Sequence, residues 1–472
     1  MDCCSTPGKR LVIIGGGSAA FSAAIKASGL GARVTLINDG LPIGGTCVNV
    51  GCVPSKTLIR AAEVFHRAKR HEFQGISSQS QLTDFKAVTT QARELVEELR
   101  LAKYVDVVAD LPDFRRIDGR GRLIAPNQVR VNGETITADR VLIATGASPL
   151  IPPIPGLGES NYLTNETAFQ LEELPDSLIV LGGRYIGLEL AQMFARFGSR
   201  VTLLQRSSRI LPTESPDLTN ALTGFLETEG IEVVTNVAAT RVSRVSDTVT
   251  VETEVAGTRR TFRAAQLLLA TGRTPNTQQL GLEDLGVTLN SRGFLVVDES
   301  LQTSAEGIYG AGDVLGENMF VYAAAYEGAL AAENALSDTS RARDYTALPW
   351  VVFSDPQVAG VGMGEQQAAE KGLKVDISVL PLSYVPRSIA ARDTRGFIKL
   401  VREHSTDKMV GARILAPEGS ELLMEVALAI KHGLTARELA ESFHPYLTLG
   451  EGVKLAALSF DKSVEKLSCC AT

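Results

Sequence analysis

No stretch of this 472-residue chain holds the ~20 consecutive apolar residues that a bilayer span needs. There is no long basic block: 47 Lys and Arg stand against 54 Asp and Glu, for a net charge of −7. That balance argues against nucleic acid as a partner. The N-terminus offers no basic region leading into an apolar signal-type stretch, so a cytoplasmic location is expected. Cysteine is scarce, with six in all, and they are not spread out as they are in a secreted, disulfide-stapled protein. They come as Cys3-Cys4, Cys47/Cys52 and Cys469-Cys470. Adjacent thiols close to the chain ends suit the capture and transfer of a ligand.

What is present begins with length and glycine. The length suggests about three domains, and 43 glycines fit a fold rich in tight strand-to-helix turns. The run Gly44-Gly45-Thr46-Cys47-Val48-Asn49-Val50-Gly51-Cys52-Val53-Pro54-Ser55-Lys56 places two thiols five residues apart. Such a pair can close a small disulfide loop at the entrance to a helix. Pro54 suits a first helical turn, where its missing N–H costs nothing. A thiol there feels the positive end of the helix dipole and ionises near neutral pH. An inert pair would sit in apolar runs away from any nucleotide motif.

Arg10 to Ile14 reads as a buried strand, Gly15 to Lys26 as a glycine turn opening a helix, and Arg33 to Ile37 as the next strand. Helical periodicity follows over Thr57–Lys69 and Asp84–Lys103, and Ile136–Ala144 reads as one strand ending in Ala144-Thr145-Gly146. A proline-rich link, Pro149 to Pro155, precedes a second such unit. That unit runs through Leu178–Leu181, Ile186–Phe197, Arg200–Leu204 and Leu267–Ala270, closing in Ala270-Thr271-Gly272. Two dinucleotide folds in tandem imply two dinucleotides. The turns Gly15-x-Gly17-x-x-Ala20 and Gly182-x-x-x-x-Gly187 allow close approach of a pyrophosphate to a helix N-terminus. After the second unit's strand Arg200–Leu204, Arg206 and Arg209 stand with no acid between them. This favours a 2′-phosphate over a free 2′-hydroxyl, hence NADPH; the bland alternative is two solvated arginines.

The cysteine run, the two glycine turns and Gly310-Ala311-Gly312-Asp313 together resemble the flavin-dependent pyridine nucleotide–disulfide oxidoreductases. That family includes glutathione reductase, dihydrolipoamide dehydrogenase and mercuric reductase. The resemblance implies an α/β protein of two Rossmann-like domains and a C-terminal α+β dimerisation domain. FAD is expected on residues 1–150 and 274–343, NADPH on 151–273, and homodimer contacts on 344–472. It further implies a redox-active Cys47–Cys52 disulfide, with Cys52 on the flavin side and Cys47 exchanging. FAD contacts are expected from Gly15, Gly17, Ala20, Thr46, Gly146 and Asp313. Asn38 or Asp39 would hold the ribose, where the family usually has an acid ending the strand. NADPH contacts are expected from Gly182, Gly187, Gly272, Arg206 and Arg209, with Tyr185 as a lid on the nicotinamide. Lys56 is expected to pair with Glu189 near the flavin.

On the substrate side the chain reads Phe443-His444-Pro445-Tyr446-Leu447-Thr448-Leu449-Gly450-Glu451. Disulfide reductases carry His-Pro-Thr followed closely by Glu, the His serving as proton donor. Here the gap to Glu451 is longer and Tyr446 follows the proline, a variant that resembles the mercuric reductase branch. The closing Ser468-Cys469-Cys470-Ala471-Thr472 has the same resemblance. Hg(II) is soft and prefers thiolates, so Cys469 and Cys470 are expected to take thiol-bound Hg(II) and pass it to Cys47 and Cys52 of the partner. The implied activity is NADPH-dependent reduction of Hg(II) to Hg(0), a detoxification. The alternative is an NADPH-dependent disulfide reductase of the glutathione or thioredoxin reductase kind. A thiol-rich metal binder without turnover is a third reading. His444 is then either an acid–base group or a packed ring.

Overall fold

In a computed structural model that describes residues 8–463, the first sheet is built from the chain's most apolar short runs. Leu11 to Ile14 are buried, as expected of a strand covered on both faces. The sheet has five strands, in the order Ile308–Gly310, Arg140–Ile143, Arg10–Ile14, Arg33–Asn38 and Phe114–Asp118, every neighbour parallel. The helices Ser18–Gly29 and Val321–Leu336 pack closely beside it, a Cβ at Gly328 falling 2.0 Å from Ala19 O. The second unit repeats the scheme with four parallel strands, ordered Glu232–Val234, Arg200–Leu204, Ser177–Leu181 and Gln266–Leu269.

Each unit also carries a three-stranded antiparallel sheet: Arg122–Ala125, Gln128–Val131 and Glu134–Thr137 in the first, Val237–Val245, Thr248–Val255 and Thr258–Ala264 in the second. Here the sequence expectation needs correcting. Ile136–Ala144 is two strands in two sheets, parted at Ala138-Asp139. The break has a long-range cause: the Asp139 carboxylate accepts from Arg10 N at 2.7 Å. The helix expected over Asp84–Lys103 runs as Phe85–Arg100, capped by Asp84, and passes into a π-helical turn, Leu101–Val105. A two-stranded link, Ala147–Pro149 with Arg273–Pro275, joins the two units.

The third domain is built on a five-stranded antiparallel sheet, ordered Trp350–Val352, Gln357–Gly362, Met409–Ala416, Phe397–Glu403 and Val375–Pro381. Ion pairs fasten the second unit to it: the largely buried Arg196–Asp355 at 3.0 Å and Arg413–Glu214 at 2.6 Å, and Lys399–Asp217 at 2.5 Å, in which the lysine is buried and the carboxylate half exposed. Ile389, Met424, Leu428, Phe443, Tyr446 and Leu447 of this domain are exposed. Large apolar side chains on a surface are what a partner subunit covers. Among the described residues, no helix is long and apolar enough to cross a membrane.

Candidate active site

A short helix and a long one carry the thiols. Cys47 lies in Gly45–Val50, and Cys52 is the first residue of Cys52–Arg67, whose N-terminus has no side-chain cap. Gly45 has φ +63°, and a Cβ there would stand 2.6 Å from Gly17 Cα, so the thiol segment is seated directly on the first glycine turn. Gly44 N–H donates to Gly16 O at 2.7 Å across the same contact. Asn49, between the cysteines, donates to Pro42 O and Gly45 O at 2.8 Å and accepts from Arg100 at 3.1 Å. The buried Asn165, from the second unit, donates to Val50 O at 2.8 Å. None of Asn49, Arg100 and Asn165 was singled out from the sequence. Asn49 sits inside the cysteine run, and that position was the available signal.

The two sulfurs are unbridged and hydrogen-bonded to each other. That bond and burial push the Cys47 thiol up. Cys52 is lowered to about 7, first by the hydrogen bond from Cys47 and then, against burial, by the Lys56 charge. Lys56 Nζ lies 2.6 Å from Glu189 Oε2, the pairing expected from the sequence. Glu189 Oε1 accepts from Phe353 N at 3.0 Å, which ties the pair to the third domain.

A cavity of about 640 Å³ runs from Gly15–Gly17, Asn38 and Asp39 past Gly146 and Gly312–Asp313 to Thr46, Cys47 and Cys52. This size suits a cofactor site. The expected Ala20 is not in its lining. It is fully buried in the core, where its small side chain lets the Ser18–Gly29 helix pack closely. The fit to FAD rests on donor chemistry. The Ser18–Gly29 helix has an uncapped N-terminus with no acid in its first turn, ready for a pyrophosphate. Asp313 is a desolvated carboxyl, pushed up by burial against the pull of Arg273, whose Nε is 3.5 Å away. Arg273 also donates to Ala147 O and, at 3.4 Å, to Thr46 Oγ1, so it joins the link, the Asp313 turn and the thiol segment. It directly follows the Ala-Thr-Gly repeat at Gly272, a place the sequence reading passed over.

At the second glycine turn a Cβ on Gly187 would fall 1.8 Å from Gly182 O, so this glycine permits close helix–strand packing. Arg206 is exposed, while Arg209 Nε is buried without a hydrogen-bond partner. An unpartnered guanidinium nitrogen fits the 2′-phosphate of NADPH better than a solvated surface role. Tyr185 packs edge-on against Phe320 at 5.8 Å and Trp350 at 5.9 Å, and burial raises it to about 12.

The substrate-side residues stand apart from the cavity of their own chain. His444 is half-buried with its ring covered, and its Nε2 lies 2.6 Å from Glu425 Oε1, a partner the sequence did not suggest. Glu451 opens the helix Glu451–Leu458, with a buried, unpartnered Oε2. Tyr446 is exposed. Cys3, Cys4, Cys469 and Cys470 lie outside the described residues. Among the described residues no three or more His, Cys, Asp or Glu side chains converge as a metal site. The dithiol itself offers two sulfur donors.

Two nucleotide folds meeting at a dithiol define an oxidoreductase that moves electrons between a dinucleotide and a sulfur centre. Residues 9–328 match the family described as pyridine nucleotide-disulphide oxidoreductase, and 348–457 match its dimerisation domain. The chain belongs to the pyridine nucleotide–disulfide oxidoreductase family, and its third domain is the one through which such chains form homodimers. It is 47% identical to the mercuric reductase of Bacillus cereus over 460 residues, covering 98% of this chain and 73% of that one. To the mercuric reductase of Streptomyces lividans it is 43% identical over 470 residues, covering 98% of both. Among solved structures, the HOCl-induced flavoprotein disulfide reductase RclA from Escherichia coli superposes with a TM-score of 0.85 at 32% identity, covering 95% of this chain and 99% of that one. LpdA from Mycobacterium tuberculosis gives 0.85 at 31% identity, with 95% and 99% covered.

Proposed function

We propose that this chain is a cytoplasmic, homodimeric, NADPH-dependent reductase of Hg(II), with Cys47 and Cys52 as the ligands that hold the metal during reduction. The observation that carries the reading is the paired thiols at the end of the large cavity, in a chain 43–47% identical to mercuric reductases. FAD, when bound, supplies the two-electron relay between the nicotinamide and the thiol pair. Gly15, Gly17, Thr46, Gly146 and Asp313 would hold it, with Asn38 or Asp39 at the ribose. Gly182, Gly187, Gly272, Arg206 and Arg209 would hold NADPH, and Tyr185 covers the nicotinamide pocket.

The protein's own groups do the rest. Lys56, held by Glu189, keeps positive charge beside Cys52 and favours its thiolate. Hg(II) displaces the proton that the pair holds, and each sulfur then supplies one ligand. Soft thiolates suit Hg(II), which needs no further oxygen or nitrogen ligands. NADPH gives up two electrons and Hg(II) takes two, leaving NADP⁺, a proton and Hg(0). Thiol-bound Hg(II) would arrive through Cys469 and Cys470 of the other subunit, with Tyr446, Glu451 and His444 completing that entrance. A cytoplasmic setting keeps such thiols reduced.

The test is NADPH oxidation by the purified protein with Hg(II) in excess thiol, set beside oxidised glutathione, lipoamide and thioredoxin. Turnover with Hg(II) alone supports the reading and makes His444 a packed ring. Turnover with a disulfide, inhibited by Hg(II), replaces it with the disulfide reductase reading and makes His444, with Glu425, the acid–base pair.

A further inference from the structure

One buried carboxyl beside the cavity has no part in the mechanism above. Glu327, in the Val321–Leu336 helix, is 1% exposed. Its Oε2 accepts from Gly312 N at 2.7 Å and its Oε1 accepts from the Tyr345 hydroxyl at 2.6 Å. Burial raises Glu327 to about 7 against the pull of both hydrogen bonds and of Arg343, with Glu317 adding to the rise. A carboxyl kept in so dry a place needs both donors to offset its desolvation.

The two donors come from different parts of the molecule. Gly312 immediately precedes Asp313, and both line the cavity. It has φ +82°, and a Cβ there would stand 3.1 Å from the Ala19 side chain, so the turn is pressed onto the first helix of the fold. Tyr345 belongs to the stretch that leaves the Val321–Leu336 helix and enters the third domain at Trp350. The same helix laces that stretch down elsewhere. Asn334 Oδ1 accepts from Arg341 N at 2.8 Å, and the Tyr326 hydroxyl accepts from Asp344 N at 2.9 Å. Arg343 pairs with Glu317 at 3.0 Å.

We propose that Glu327 is a positioning residue for FAD: its carboxylate holds the Gly312–Asp313 turn in register with the cofactor cavity and ties that turn, through Tyr345, to the strap entering the third domain. The inference rests on the flavin reading given above. Its chemistry separates two substitutions. Glutamine keeps one oxygen for Gly312 N–H and offers an N–H to the Tyr345 oxygen, whose own hydrogen can rotate away. Alanine removes both contacts and leaves a buried backbone N–H without a partner.

The experiment measures FAD dissociation constants on the homodimer, from the flavin fluorescence that returns on release, together with the flavin midpoint potential. Loss of a hydrogen bond to a charged group predicts that Glu327→Ala weakens FAD binding about tenfold or more, and that Glu327→Gln recovers to within about threefold of the parent. Tyr345→Phe, which keeps the carboxylate and its bond to Gly312 N and drops one donor, should weaken FAD about threefold. FAD bound by Glu327→Ala as tightly as by the parent, or by Glu327→Gln no better than by Glu327→Ala, overturns the proposal. Should the alanine variant not fold, an unchanged constant in Tyr345→Phe overturns the strap connection on its own. A parent protein that takes up no FAD contradicts the flavin reading itself, an outcome distinct from FAD bound equally by all variants.

Discussion

In the first nucleotide unit Gly15 N–H donates to Ile37 O at 2.8 Å, and in the second Gly182 N–H donates to Leu204 O at 2.9 Å. The two glycines have φ +131° and +114°, and a Cβ on either would stand 2.1 or 2.2 Å from the carbonyl of the alanine in the following Ala-Thr-Gly. Both alanines, 144 and 270, donate back to the first strand of their unit at 2.8 Å. The backbone device is therefore the same twice over. What differs is the surroundings of the turn. Gly16 faces the side-chain oxygen of Asn38, whose Nδ2 donates to Leu41 O, and the thiol segment closes over the turn through Gly45. In the second unit Gln205 reaches in to accept from Gly183 N at 2.9 Å, and the turn is flanked by the exposed Arg184 and Arg206. On the proposed function, one turn lines the large cavity that keeps its cofactor, and the other, flanked by exposed arginines, meets one that comes and goes. The covering side chains set that difference, and the glycine pattern does not.

The largest effect should come from the dithiol that joins the two sites. Cys52→Ala is expected to reduce Hg(II)-dependent NADPH oxidation to background while bound FAD, read by its visible absorbance, stays at parent level. Loss of FAD along with activity would show that the thiol segment and the first site cannot be separated. Next, Arg206→Gln with Arg209→Gln should raise the KM for NADPH by roughly 10- to 100-fold, the scale of charge-assisted hydrogen bonds to phosphate, and leave that for NADH nearly unchanged. A fall in FAD content in this variant would break the comparison.

A smaller effect separates the charges beside Cys52. Its thiolate gains population as pH rises through about 7. Lys56 favours that anion and Glu189 opposes it. Lys56→Met should therefore move the pH midpoint of Cys52 alkylation upward by about one unit or more, and Glu189→Gln should move it downward. Equal midpoints in all three proteins would remove the pair from thiol tuning. The smallest effect is structural: Asn165→Ala deletes one buried bond to Val50 O. It should cost about 1–3 kcal/mol in thermal unfolding, with kcat within about twofold.

Strands with unbroken apolar runs, such as Leu178–Leu181, were legible because burial on both faces needs no knowledge of the partner strand. The Lys56–Glu189 pair was legible only through the family resemblance, since 133 residues separate the two. The misread stretch Ile136–Ala144 has continuous strand propensity, and the contact of Asp139 with Arg10 decides where it breaks. Asn165 and Arg273 act on partners 115 and 227 residues away, beyond the reach of any local pattern. Glu327 and Glu425 were missed at shorter range, because their partners lie 15 to 19 residues off, at none of the spacings that a helix or strand repeats. Ala20 was assigned to the cofactor because the glycine motif includes it, although its service is to the packing of the helix.

The central claim is tested most directly by counting mercury vapour released against NADPH consumed, with thiol-bound Hg(II) as the sole acceptor under anaerobic conditions. Two electrons from each NADPH predict one Hg(0) per NADPH, and none from Cys52→Ala. NADPH oxidised without mercury release, or mercury released equally by the variant, would contradict the account.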